Sequence, residues 1–238
     1  MSPVTASTDN VYILYDDDFL SKVDSQWFDV DYWEQQGSVT KAAQGRGQAG
    51  FIQTEQGELV LRHYHRGGWM ATLLGERYIY TGLYRSRAWR EWYLLEKMTA
   101  MGLPVPQPVA AQVVRAGIFY RQDILIRRIS GAVALSQRLQ EGVLSSGLWS
   151  EIGKCIRKFH AAGIYHADLN AHNILLGDNG QVYLVDFDKG EIRSEGQWQA
   201  SNIARLKRSL NKLKQLDQKA TGFSFTEDDW SALMQGYA

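Results

Sequence analysis

The apolar residues of this chain follow a strand-like pattern through its first half. Short runs rich in β-branched and aromatic residues, bounded by glycines, predict strands over 37–42, 51–54, 58–64, 109–114 and 118–129. One helix is predicted among them, over 86–101, because tryptophans and a leucine recur at helical spacing and no breaker occurs before Gly102. The first 130 residues are therefore expected to form a sheet with one inserted helix.

Helical periodicity replaces this pattern from about Leu135 onward. A helix is predicted over 148–160, where one face carries Leu148, Ile152, Cys155, Ile156 and Phe159. A hairpin is predicted next, because the apolar runs 174–176 and 182–187 flank a turn of glycine, asparagine and aspartate. A leucine-rich stripe predicts a helix over 203–216, and Thr226 with Asp229 can cap a last helix over 227–235.

A cluster of prolines separates the two patterns. Pro104, Pro106 and Pro108 predict a connector rather than a helix or strand. The chain is therefore expected to be of the α+β class, with a small β-rich N-lobe over 1–130 and a helical C-lobe over 131–238. A length of 238 residues is enough to bury a sizeable core.

Composition and charge exclude several classes of protein. The single cysteine cannot form an internal disulfide, which favours an intracellular location. Residues 1–10 lack the basic start of a signal peptide, and no apolar stretch approaches the roughly 18 residues of a membrane span. A net charge of zero argues against general nucleic-acid binding. The segments 61–90 and 201–220 are nevertheless basic, so an anionic ligand or surface could be met locally.

Three polar residues around the predicted hairpin have the types and the order that phosphoryl transfer requires. Asp168 precedes the hairpin on a loop, where its carboxylate could accept the proton of an attacking hydroxyl. Asn173 follows five residues later and Asp186 ends the returning strand, and both offer the oxygen ligands that Mg²⁺ prefers. His166 is expected to brace the loop. These residues predict a kinase site with Asp168 as the general base.

This order resembles the catalytic motifs of protein kinases and of the small-molecule kinases related to aminoglycoside phosphotransferases. The resemblance implies one protein-kinase-like domain of two lobes that binds ATP. In such a fold, the glycines of the N-lobe would form a loop whose backbone covers the nucleotide phosphates; they are Gly45, Gly47 and Gly50.

Arg62 stands where these kinases carry a phosphate-binding lysine. An arginine can still pair with phosphate, and it can do so bidentately. Its partner on the predicted helix would be Glu91, with Glu96 as the alternative more than one turn further along.

Two departures weaken the comparison with protein kinases themselves. Ala167 replaces the arginine that senses activation-loop phosphorylation, and Asp188 replaces the glycine of the metal-binding motif. The chain after Asp186 is also too short for the large peptide-binding part of a protein kinase. A compact enzyme that acts on a small or glycan hydroxyl fits better.

Longer strings are similar to the lipopolysaccharide core kinase family, and within it to the 3-deoxy-D-manno-octulosonic acid (Kdo) kinases. The strings are 61–68, 165–176, 185–190 and 202–210. The resemblance implies ATP-dependent phosphorylation, with Mg²⁺, of the 4-hydroxyl of Kdo on Kdo-lipid IVA, a precursor of Kdo-lipid A. It also implies a peripheral enzyme at the cytoplasmic face of the bacterial inner membrane, in contact with an anionic lipid surface. Neither nucleic acid nor an obligate protein partner is expected.

Two alternatives stay open at this point. The chain could phosphorylate another small hydroxylated substrate, such as an aminoglycoside or a sugar, or it could be a catalytically silent kinase-like binding module. The helix predicted over 203–216 also has two interpretations. Its basic residues and leucines could face a membrane or substrate, or the leucines could lie in the core with the lysines in water.

Overall fold

The computed structural model describes residues 1–42, 49–65, 78–217 and 223–238. The chain divides into two units, each with its own internal contacts. Unit 1 consists of Met1–Lys97 and Pro106–Arg128, and unit 2 of Met98–Val105 and Ile129–Ala238. The segment Met98–Val105, which the sequence pattern places in the N-lobe, therefore belongs to the helical unit.

Unit 1 is built on an antiparallel sheet, which has eight strands in the described part of the chain. The strands are β1 (Pro3–Thr8), β2 (Val11–Asp16), β3 (Val39–Ala42), β4 (Ala49–Thr54), β5 (Gly57–His63), β6 (Tyr78–Ile79), β7 (Pro108–Ala116) and β8 (Phe119–Arg127). Their order is β1-β2-β7-β8-β5-β4-β3, and β6 pairs with β8. The helices α1 (Val30–Gln35) and α2 (Arg87–Ala100) accompany the sheet, although the last residues of α2 belong to unit 2.

Side chains along β5 alternate between the two faces of the sheet, so one face lies in the core and the other carries Arg62. Leu59 and Leu61 are fully buried and join Phe28 and Trp33 in the core on one face. Successive strand residues point to opposite faces. Arg62 accordingly lies on the other face, where its guanidinium contacts Glu91 of α2.

The strand predictions over the middle of unit 1 are confirmed within a few residues, whereas the hairpin of β1 and β2 was not predicted. Every residue of β1 is exposed, so the strand has no alternation of buried and exposed side chains. Its pairing with β2 runs from Pro3 opposite Asp16 to Thr8 opposite Val11. Backbone hydrogen bonds rather than side-chain burial therefore define β1.

Unit 2 combines helices with short strand pairs. The helices are α3 (Leu135–Glu141), α4 (Ser146–Ala161), α5 (Trp198–Asp217) and α6 (Glu227–Tyr237). The strands are β9 (Val133–Ala134), β10 (Ile164–Tyr165), β11 (Ile174–Leu176), β12 (Val182–Leu184) and β13 (Glu191–Ile192). The predicted hairpin is confirmed as β11 and β12, with Ile174 opposite Leu184. The predicted cap of the last helix is also confirmed, as a reciprocal capping box between Thr226 and Asp229.

Helices α4 and α6 approach each other at two glycines. A Cβ added to Gly153 of α4 would lie 2.0 Å from the carbonyl oxygen of Leu233. A Cβ added to Gly236 of α6 would lie 2.0 Å from the carbonyl oxygen of Ser150. Any larger residue at either position would force the helix backbones apart.

Cys155 also lies in α4 and is a core residue, as predicted. Only 6% of its surface is exposed, and its thiol donates to the carbonyl oxygen of Val182 at 3.5 Å. Burial raises the pKa of this thiol to about 12.

Helix α5 places the first part of its apolar stripe in the core of unit 2, since Ile203, Leu206 and Leu210 are buried, whereas Leu216 near its end is 67% exposed. The second of the two interpretations is therefore confirmed for Ile203, Leu206 and Leu210. No helix among the described residues is both long enough and apolar enough to cross a bilayer.

Candidate active site

The loop from β10 to β11 carries Asp168 and is braced by His166, as predicted. The Nε2 of His166 lies 2.9 Å from the carbonyl oxygen of Val185. Its Nδ1 accepts the backbone N–H of Asp168 at 3.1 Å, so the ring proton resides on Nε2. The ring is 2% exposed, and burial lowers the pKa of His166. A neutral imidazole therefore ties the Asp168 loop to the strand end before Asp186.

Three residues of α5 also contact the Asp168 loop. Asn202 accepts the backbone N–H of His166 at 3.3 Å and donates to its carbonyl oxygen at 3.0 Å. Ser209 Oγ accepts the backbone N–H of Ala171 at 3.3 Å. With Arg205, these residues stand at positions i, i+3 and i+7, which share one helix face. The role of this face was not predicted, although its spacing is visible in the sequence.

The Asp168 carboxylate is exposed but oriented. Arg205 Nη1 donates to its Oδ1 at 2.8 Å, and Asn170 Nδ2 donates to its Oδ2 at 3.0 Å. The side chain is 59% exposed despite these bonds. A carboxylate that is fixed in direction and open to solvent can receive a hydroxyl proton from an incoming acceptor.

Asn173 and Asp186 are brought together at the base of this loop. The Nδ2 of Asn173 donates to the carbonyl oxygen of Asp168 at 2.9 Å, so its Oδ1 is the atom that can bind a cation. The backbone N–H of Val185 donates to the carbonyl oxygen of Asn173 at 3.0 Å, which places Asp186 next to it. Asp186 has φ of +63°, a left-handed conformation that aspartate adopts more readily than most residues.

The donor set at Asn173 and Asp186 fits Mg²⁺ better than a transition metal. It offers hard oxygens, and Mg²⁺ commonly binds one or two carboxylates together with substrate phosphates and water. The described residues contain no cluster of three or more histidine, cysteine or acidic side chains that could hold a metal by itself. A magnesium ion here would therefore complete its coordination with ligands from the substrate.

Within unit 1, Arg62 is paired as predicted. Arg62 Nη2 forms a salt bridge with Glu91 Oε2, and Glu91 is only 3% exposed. The hydroxyl of Tyr64 donates to the same carboxylate and lies 3.2 Å from Arg62 Nη2. Burial raises the pKa of Tyr64 well above its ordinary value, so its hydroxyl keeps the proton that it donates. Glu91 rather than Glu96 is therefore the partner.

The predicted glycine loop lies largely outside the described residues, since Gly45 and Gly47 fall within 43–48. Gly50 is part of β4, opposite Leu61 of β5. Its strand begins at Ala49, two residues earlier than the apolar run predicted, so Gly50 is a strand residue rather than a loop residue.

The match to a known family covers most of the chain. Residues 30–237 match the model of the lipopolysaccharide kinase (Kdo/WaaP) family. The chain belongs to this family. The protein is therefore an ATP-dependent kinase with a protein-kinase-like fold, which is the fold class expected from the sequence.

Relatives of the kinase match it over at least 90% of its length. A protein of Photobacterium profundum is 39% identical over 229 residues, which cover 96% of this chain and 95% of the relative. One from Haemophilus influenzae strain PittEE is 39% identical over 96% of this chain and 97% of its own. One from Actinobacillus succinogenes is 40% identical over 90% of both chains. Each of the three is named a 3-deoxy-D-manno-octulosonic acid kinase.

Replacing Glu91 by glutamine is expected to lower kcat/KM for ATP by about 10- to 100-fold. The substitution removes the charge of a buried carboxylate that forms a salt bridge with Arg62. Initial-rate kinetics with ATP as the varied substrate measure this effect. Glu96→Gln changes an acid on the same helix and is expected to stay within about twofold of the wild type. Equal losses in the two variants would contradict the assignment of Glu91.

The stability of unit 2 is expected to decrease in weak acid because of His160. This ring is 2% exposed, its Nδ1 lies 2.7 Å from the hydroxyl of Tyr237, and burial lowers its pKa to about 4. Below pH 6.5 the unfolded chain takes up a proton that the folded ring does not. The free energy of unfolding should fall by up to about 1.4 kcal/mol per pH unit down to pH 4.

Urea unfolding at a series of pH values measures this slope. His160→Gln cannot titrate in this range and should show a smaller slope, whatever its stability at neutral pH. The buried His166 contributes in the same direction and is present in both proteins. An unchanged slope in the variant would show that His160 is not the source.

Proposed function

We propose that this kinase transfers the γ-phosphate of ATP to the 4-hydroxyl of the Kdo residue in Kdo-lipid IVA, during lipopolysaccharide inner-core biosynthesis. The names of its full-length relatives support Kdo as the acceptor sugar. The observation that carries the proposal is the exposed Asp168 carboxylate, oriented by Arg205 and Asn170. A carboxylate open to solvent suits an acceptor hydroxyl carried on a bulky lipid-linked sugar.

Each part of the site has a role in this reaction. Asp168 accepts the proton of the attacking hydroxyl, and its loop is held by His166. Asn173 and Asp186 would hold Mg²⁺, which neutralises charge on the transferred phosphate. Phosphoryl transfer needs little covalent help, so these residues act mainly by positioning and by charge.

Residues of unit 1 are proposed to bind the nucleotide. Arg62, held by Glu91, would bind the α- and β-phosphates of ATP. The backbone around Gly45 and Gly47 would cover the phosphates. A guanidinium held by a buried carboxylate loses less conformational entropy when it binds phosphate than a free one does.

The enzyme is also proposed to work as a peripheral protein at the cytoplasmic face of the inner membrane. A lipid-linked acceptor resides in a bilayer, so the enzyme must reach its anionic surface. Each lysine or arginine near such a surface contributes about 1 kcal/mol to binding. Co-sedimentation with vesicles of anionic phospholipid, compared with vesicles of neutral phospholipid, tests this location. Equal binding to both would contradict it.

The reaction itself is tested by mass spectrometry of Kdo-lipid IVA incubated with the purified protein, ATP and Mg²⁺. One added phosphate, located on the 4-position of Kdo by fragmentation, is the expected result. The protein alone should suffice, since no obligate partner is proposed. Phosphate on an added aminoglycoside or free sugar, with none on Kdo, would show that the enzyme acts on another class of substrate. Absence of any Mg²⁺-dependent ATP turnover would indicate a silent binding module.

A further inference from the structure

The five basic residues of α5 fall into two groups. Of the five, three are engaged within unit 2. Arg205 pairs with Asp168, Lys207 pairs with Glu227 at 2.8 Å, and Lys214 donates to the carbonyl oxygen of Phe225 at 2.7 Å. The other two, Arg208 and Lys212, are exposed and form no hydrogen bond or ion pair with any residue that the structure describes. Contacts among the described residues therefore give no structural role to the charges of Arg208 and Lys212.

Arg208 and Lys212 share one face of α5 with Arg205. The positions i, i+3 and i+7 align on a helix, and the rise of 1.5 Å per residue gives the three Cα atoms a span of about 10 Å along the axis. We call Arg205, Arg208 and Lys212 the basic stripe. Ile203, Leu206 and Leu210 are buried on another face of α5, whereas Arg205, Arg208 and Lys212 are exposed, so the stripe points to solvent. The one acidic residue of α5 is Asp217, its last.

The first residue of the basic stripe, Arg205, lies beside the proposed catalytic base, Asp168. Arg205 touches the Asp168 carboxylate, and Ser209 accepts the backbone N–H of Ala171 from the same loop. Arg208 lies between these two contacts in the sequence, so its backbone is anchored beside the loop. A molecule whose hydroxyl reaches Asp168 would therefore have Arg208 and Lys212 within side-chain reach of its neighbouring groups.

We propose that Arg208 and Lys212 bind anionic groups of the acceptor itself and so determine its affinity. This inference rests on the proposed function, in which the acceptor is a sugar acid on a lipid. The carboxylate of such an acid, and any phosphate on its lipid, match the two cations. A guanidinium pairs with either group bidentately, whereas an ammonium acts as a compact charge. Arg205 is already bonded to Asp168 and acts as a positioning residue for the base.

The test compares acceptor kinetics of Arg208→Gln/Lys212→Gln with those of a matched control. KM for Kdo-lipid IVA in neutral detergent micelles should rise about 5-fold per removed charge and about 25-fold for the pair. KM for ATP and kcat should stay within about twofold. The control, Lys154→Gln/Lys158→Gln, removes two charges from the exposed face of α4 in the same unit and should leave the acceptor KM unchanged. Arg208→Lys/Lys212→Arg keeps both charges and should stay near the wild type.

Each other outcome has a definite meaning. Equal acceptor KM values in the stripe variant and the α4 control would overturn the inference and leave the proposed function standing. A rise in KM that occurs only with anionic vesicles, and not in neutral micelles, would assign the charges to membrane headgroups and would also overturn it. A wild-type enzyme that does not phosphorylate Kdo-lipid IVA would overturn both. Thermal unfolding of all variants verifies that each one is folded.

Discussion

Asp168→Ala is expected to reduce phosphoryl transfer to the acceptor by about 10³-fold, the range that a general base contributes. The variant removes the loop carboxylate that pairs with Arg205. ATP binding should be largely retained, because the proposed phosphate contact of Arg62 belongs to unit 1. Single-turnover transfer and equilibrium binding of a nucleotide analogue measure the two effects separately.

Two further variants separate the loss of the base from other effects. Asp168→Asn keeps an oxygen that can accept from Arg205 but lacks basicity, and it should be nearly as inactive as alanine. Asp178→Ala removes an exposed acid from the turn between β11 and β12 and should retain activity within about twofold. An Asp168→Ala enzyme with more than a tenth of wild-type activity would refute the assignment.

Gly153→Ala is expected to lower the free energy of unfolding by about 3 kcal/mol or more. The new Cβ would lie 2.0 Å from the carbonyl oxygen of Leu233, and this oxygen belongs to helix backbone that cannot simply rotate away. Overpacking of this kind displaces whole elements, and large effects of single substitutions come from such clashes. Urea unfolding monitored by tryptophan fluorescence measures the change.

Gly147→Ala provides a matched control in the same helix. The nearest atom to its added Cβ is Ser145 Oγ at 3.9 Å, so there is room for a methyl group. Alanine is the better helix former by up to about 1 kcal/mol, so this variant should be as stable as the wild type or slightly more stable. If both substitutions destabilised equally, the close approach of α4 and α6 would not be the cause.

The sequence predicted the parts of the candidate site that depend on local order. The spacing of Asp168, Asn173 and Asp186 around a hairpin lies within twenty residues, and each residue type suggests its chemistry. Glu91 was predicted in another way, because the resemblance to kinases implies an acidic partner for Arg62 on the following helix, with Glu96 as the alternative.

The contacts of α5 could not be predicted in the same way. Asn202, Arg205 and Ser209 meet the catalytic loop across separations of 36 to 38 residues in the chain. Their polarity is that of an ordinary solvated helix face, so the pattern also allowed Arg205 to face a membrane or substrate. The burial of Leu206 and Leu210 sets where α5 lies against the loop. The spacing of apolar residues predicts which side chains are buried, but it does not indicate which loop the helix then contacts.

The burial of Cys155 has a practical consequence for labelling chemistry. Alkylating reagents attack the thiolate, and a sheltered thiol with a pKa of about 12 supplies almost none at neutral pH. The natural cysteine can therefore remain in place, since no other occurs in the chain. A single replacement on the exposed face of α5, such as Ser201→Cys, would then offer one reactive sulfur for a fluorophore. Such a dye would sit one helical turn before Arg205 and could report the arrival of an acceptor by its emission.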